Sequence, residues 1–152
     1  MRTSPRRRAR EFALQGLYQR QLSGNAVPAI RAQLADASGF ALADHAYFDE
    51  LWAGVTADES ALVDRMSPWL DRSAAGLSPV ERAILVIGTW ELQHRLEIPY
   101  RVVINEAVEL AKSYGGTDGH KFVNGVLDKV ATDLRGDEIR ALAAERAAGA
   151  AG

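Results

Sequence analysis

The stretch from Ser78 to Leu96 constrains the fold more than any other. Ser78-Pro79-Val80-Glu81 reads as a capping box with proline at the first helical position, the pattern that opens a helix. The helix that follows carries Ala83, Ile84, Leu85, Val86, Ile87, Trp90, Leu92 and Leu96, and Pro99 stops it. Its apolar residues fall on nearly every side, which marks a helix buried at the centre of its fold. A chain of 152 residues is long enough to enclose it in one domain.

The other segments supply helices to surround it. Ser4 and Pro5 can cap and open a first helix, which Ala13, Leu14, Leu17, Gln21 and Leu22 continue until Ser23-Gly24-Asn25 ends it. Residues 28–37 read as a weaker second helix. Residues 44–55 and 57–72 read as two more, with Phe48, Leu51, Trp52 and Val55 at i, i+3, i+4 and i+7. Residues 101–113 follow, with Val103, Ala107, Leu110 and Ala111 inward, and Gly115-Gly116 ends them. Asp118 or Thr117 can cap a helix over about 119–134 with Val123, Val126, Leu127, Val130 and Leu134 as its core stripe. The expected class is all-α. Ala74-Ala75-Gly76 divides the chain into halves of about 1–75 and 77–135 within a single domain, since no long linker is present. Residues 136–152, rich in alanine and charge, read as a variable tail, either a frayed helix or disordered.

Composition narrows the function. The chain has no cysteine, which excludes disulfides, Cys-based zinc sites and thiol catalysis and fits a reducing cytoplasm. No apolar run reaches the roughly 20 residues of a membrane helix. Glu11, Gln15, Gln19 and Arg20 interrupt what would be the apolar core of a secretion signal. The net charge is −2, yet residues 1–20 hold six arginines and one acid, a local +5 that leaves −7 for the remainder. A basic end on an acidic body suits a localised polyanion site, not indiscriminate coating of nucleic acid.

Arg6, Arg7, Arg8 and Arg10 crowd the start of the first helix, where they repel one another and face the positive end of its dipole. Two readings stand: a solvated, frayed terminus, or a phosphate clamp built on the planar donor fork of arginine. Tyr18 lies on the same helical stripe as Arg7, so it is either part of the apolar face or a stacking surface beside the cations. The segment from Gly115 to Gly125 is the second candidate. Its glycines let the chain turn, and the helix start after Asp118 aims free N–H groups outward, as a phosphate requires. Lys121 can add a phosphate contact. Phe122 sits at the edge of the core stripe, placed either to pack or to stack. Enzyme readings find little support. His45, His94 and His120 are far apart, no metal-ligand spacing or phosphate-loop motif occurs, and Asp118 with His120 lacks a nucleophile. Glu106 and Glu109 read as solvated surface acids.

Three stretches carry a family resemblance. They are Ala9-Arg10-Glu11 with Ala13, Gln15 and Leu17-Tyr18; the run from Pro99 to Gly115; and His120 to Asp128. Together they resemble the bacterial transcription antitermination factor NusB family, in order over residues 5–134 and most strongly over 80–130. The resemblance implies a compact bundle of about seven helices in two packed subdomains, with no catalytic activity, cofactor or metal. It implies binding of boxA, a short single-stranded RNA element of ribosomal-RNA transcripts, together with NusE, a small-subunit ribosomal protein. The pair supports an antitermination complex with RNA polymerase and other Nus factors. Carried over by motif, Arg6, Arg7, Arg8, Arg10, Tyr18, Asp118 and Phe122 face RNA, Gln15 and Lys121 neighbour them, and Glu81 lies near the NusE surface. Glu81 also fits the capping box. The tail from residue 136 departs from the family pattern, and Phe40 to Asp49 shows little likeness. The alternatives are a helical protein-interaction module, or an accessory domain like those of ribosomal-RNA methyltransferases. A homodimer formed through the arginine face would cover it.

Overall fold

The computed structural model describes residues 3–151; among them are eight α-helices and no strand. The helices are α1 (Pro5–Ser23), α2 (Val27–Ala35), α3 (His45–Ala57), α4 (Glu59–Met66), α5 (Pro79–His94), α6 (Tyr100–Tyr114), α7 (Gly119–Leu134) and α8 (Gly136–Ala151). Short 3-10 turns at Phe40–Leu42, Ser67–Trp69 and Ala74–Gly76 join some of them. The all-helical expectation holds.

α5 is the centre. It packs on α1, α3 and α4 from the first half of the chain and on α6 and α7 from the second. Every residue from Ala83 to Leu92 is buried, and the apolar side chains of both halves form one continuous core. Two glycines let the helices approach closely. A Cβ on Gly16 of α1 would lie 2.6 Å from the ring of Trp52 on α3, and one on Gly54 of α3 would lie 2.1 Å from the indole nitrogen of Trp90 on α5.

Local chemistry explains several helix ends. Ser4 Oγ accepts the Arg7 N–H at 3.1 Å, Pro5 takes the first turn, and Gly24 closes α1 at a left-handed φ of 69°. Ser78 Oγ accepts the Glu81 N–H in the same way. Two expected boundaries move. α4 ends at Met66 instead of continuing toward residue 72, because Pro68 lacks an N–H and its ring would strike the preceding turn; the chain tightens into a 3-10 turn there. α5 ends at His94, so Leu96 lies beyond it and is exposed instead of joining the buried face.

The carboxy-terminal end of α5 is finished from a distant element. Arg135, 4% exposed, follows α7 and uses all three of its nitrogens. Nε donates to Leu92 O at 2.7 Å, Nη1 to Ile98 O at 3.0 Å, and Nη2 to Arg95 O at 3.0 Å and Glu91 O at 3.3 Å. Leu92 O is a carbonyl that the helix end leaves without a backbone partner, whereas Glu91 O and Arg95 O also accept the Arg95 and Ile98 N–H groups. Nη1 also meets Glu138 Oε1 at 2.6 Å, while the other oxygen of Glu138 accepts the Tyr100 N–H at the start of α6. Residues 136–151 form α8, whose Ile139 and Leu142 pack against the core. Arg135→Met should therefore lower stability by about 2–4 kcal/mol, measured by chemical denaturation, because it takes the donor from the Leu92 and Ile98 carbonyls and the cation from Glu138.

Candidate nucleic-acid interface

The arginines of α1 divide into different roles. Arg10 points inward. It is 3% exposed, and its guanidinium meets Glu91 of α5, 1% exposed, through Nε at 3.0 and 3.1 Å and Nη2 at 2.9 Å. Burial works against its charge, but Glu91 and the hydrogen bonds between them outweigh this and raise its pKa. Tyr47 donates its hydroxyl to the same carboxylate and is held protonated by burial and by the Glu91 charge. Arg10 therefore does not face a ligand, which corrects its placement among RNA-facing residues. Its position on α1 gave no sign of this, because the acid that draws it inward lies on a helix 81 residues away.

Arg6, Arg7 and Arg8 remain at the surface, each only half-buried. Arg6 lies over the Tyr47 ring with 4.3 Å between guanidinium carbon and centroid. Arg7 is gripped by Glu106 of α6, Nε to Oε2 at 2.8 Å and Nη2 to Oε1 at 3.2 Å, and these hydrogen bonds raise its pKa. Glu106 is thus not a solvated surface acid; Arg7 and, at 3.9 Å, Arg10 draw it in. Arg8 lies beside Gly39 and forms no ion pair among the described residues. Arg2 lies outside the described residues.

Farther along α1, Gln15 and Tyr18 line a cleft of about 220 Å³ with Leu14, Val80 and Tyr114. Tyr18 and Tyr114 are each 41% exposed, so both rings present surface to solvent. The Tyr114 hydroxyl donates to Glu11, and burial together with that bond pushes its pKa up to about 12. Val80 opens onto Glu81, whose carboxylate lies 3.4 Å from where a Gly119 Cβ would sit. Glu81 thereby faces the positive end of α7. The fold brings the Tyr18 cleft and the start of α7 to one side of the α5 amino terminus, although about a hundred residues separate them.

At the start of α7, Asp118 takes the cap position without capping. Its φ is 65°, left-handed, which turns the side chain away from the first-turn N–H groups; a side-chain cap needs extended backbone. Its exposed carboxylate instead meets Lys121 at 3.2 Å. Phe122 is half-buried against the core, with Arg72 4.9 Å over its ring. Arg72, Tyr114 and Val80 were not evident in the sequence as members of this surface. Arg72 sits in the loop before α5, where no periodicity indicates direction. No group of three or more His, Asp or Glu side chains able to hold a metal occurs among the described residues. No helix among them is long and apolar enough to cross a membrane.

The model of the NusB family matches residues 7–132. The chain belongs to that family. It is 56% identical over 138 residues to the transcription antitermination protein NusB of Ralstonia pickettii (strain 12J), covering 91% of this chain and 89% of that protein. It is 55% identical over 145 residues to the same protein of Azoarcus sp. (strain BH72), covering 95% and 94%. Among solved structures, T. maritima NusB superposes with a TM-score of 0.75 at 31% identity, over 87% of this chain and 93% of that one. A complex of antitermination factors NusB and NusE with dsRNA contains a chain of the same fold, TM-score 0.73 at 23% identity, over 84% and 96%.

The Arg10–Glu91 pair makes a prediction about stability. Arg10→Met or Glu91→Leu alone should cost about 3–5 kcal/mol, because each leaves a buried charge unpaired. The double variant should recover part of that loss, the remainder being the cost of leaving the buried Tyr47 hydroxyl without its acceptor, as read from denaturation midpoints of the three proteins.

Proposed function

We propose that this chain is a non-catalytic transcription antitermination factor that binds single-stranded boxA RNA in ribosomal-RNA transcripts. It does so together with NusE, and acts in the cytoplasm, where it supports assembly of the antitermination complex on RNA polymerase. The observation that supports this reading is that two separate sequence features meet at the amino terminus of α5. Arg7 and the Tyr18 cleft lie on one stripe of α1, Lys121 and Phe122 come from α7, and at the start of α5 Val80 lines the cleft while Glu81 lies beside Gly119; Arg6 over Tyr47 and Arg8 beside Gly39 flank Arg7 on either side. Cations supply phosphate contacts, and exposed aromatic rings supply the stacking that unpaired bases need. The relatives named as antitermination proteins and the NusB–NusE–dsRNA complex support the same reading. Glu81, beside this face, is positioned for a partner that touches both protein and RNA.

With Arg10 inside the core, the surface cations left to meet RNA in this reading are Arg6, Arg7, Arg8 and Lys121. The logarithm of affinity for boxA-like RNA should then fall with the logarithm of salt at a slope of about −3, near 0.7 per phosphate contact on a single strand. A titration with boxA-like and scrambled RNA, with and without NusE, on protein whose oligomeric state has been sized, measures this. A slope near zero would remove the phosphate contacts from the account. Tyr18→Ala and Phe122→Ala should each cost about 1–3 kcal/mol in binding if their rings stack on bases. Unchanged affinity with lowered stability would assign them to packing instead.

A further inference from the structure

Glu106 makes an unusual contact for an acid beside a polyanion site. Its carboxylate takes the Nε and Nη2 edge of Arg7, at 2.8 and 3.2 Å, in a two-point fork. That edge is one of two a guanidinium can present. The other, carrying Nη1, forms no hydrogen bond among the described residues, and the Arg7 side chain keeps 38% of its surface open. Glu106 is itself fixed. It is 19% exposed and lies 3.9 Å from Nη1 of Arg10, which the buried Glu91 holds in place. The chain of contacts thus runs from the core outward: Glu91, Arg10, Glu106, Arg7, and then the open edge.

We propose that Glu106 is a positioning residue for RNA: it holds Arg7 by one edge so that the free edge meets a phosphate already oriented. This rests on the reading that the α1 face binds RNA. Two effects of the carboxylate oppose each other. Its negative charge repels a phosphate, but across the width of a guanidinium and at a solvated surface that repulsion is weak. Against this, an unheld arginine loses the freedom of four rotatable bonds when it binds, and a pre-held one has already given it up. At this distance and exposure the second effect is the larger.

The test is a double-mutant cycle on RNA affinity with the full-length protein and boxA-like RNA. Glu106→Gln removes the fork, since the amide NH2 faces the arginine donors, and should weaken binding about fivefold. Arg7→Ala should weaken it by a similar or larger factor. In the Arg7→Ala background, Glu106→Gln should add nothing. Tighter binding by Glu106→Gln would make the acid a competitor, and an equal loss in both backgrounds would make it merely structural; either result overturns the proposal. Arg7→Lys provides a second route that does not depend on the folding of the Glu106 variant. Lysine keeps the charge but has no second edge to present, so its loss should approach that of Arg7→Ala; wild-type affinity would overturn the proposal. If Arg7→Ala itself binds RNA normally, Arg7 meets no phosphate and this proposal falls, while the salt slope decides separately whether the protein grips RNA through its other cations.

Discussion

The buried pair of Arg10 and Glu91 is the constraint on which the α1 surface depends. Two charges taken out of water are costly unless their hydrogen bonds are nearly complete. Here three arginine–carboxylate contacts and the Tyr47 hydroxyl meet that demand. Because the pair tolerates little displacement, it fixes both the rotation and the axial position of α1 on α5. With Arg10 turned inward, Arg7 falls beside Glu106, Arg6 comes over Tyr47, and Gln15 with Tyr18 reaches the start of α5. The placement of the exposed cations follows from the buried one.

The central helix in turn is finished at both ends by side chains, with very different reach. Ser78 serves the amino terminus from the adjacent position, while Arg135 serves the carboxy terminus from the far end of α7. The local device fixes where α5 begins. The distant one sets where α7 stops relative to α5, and so how α7 presents Lys121 and Phe122 one helix length away.

The same division separates what could be read in the sequence from what could not. Helix starts with Ser4-Pro5 and Ser78-Pro79 were legible, because capping depends on neighbours in the chain. The apolar girth of α5 was legible because periodicity records burial. The long motifs from Pro99 to Asp128 made the family recognisable. Hidden were the pairings across helices. Arg10 looked like its neighbours at 6, 7 and 8, Glu106 looked like any surface acid, and Arg72 looked like a loop residue, since each is defined by a partner that no spacing rule reveals. Asp118 failed differently: the residue type suited a cap, but its left-handed backbone did not.

Arg135 and Glu138 bear on where this fold ends. The composition of the last seventeen residues suggests an appendage that could be removed at the close of α7. Yet Glu138 stands one turn into that stretch, shares a bond with the arginine that closes α5, and receives the first N–H of α6. Ile139 and Leu142 add apolar contact beyond it. The shortest chain that keeps its central helix properly terminated must therefore run into the second turn of α8 at least, and only the alanine-rich remainder is free to vary in length.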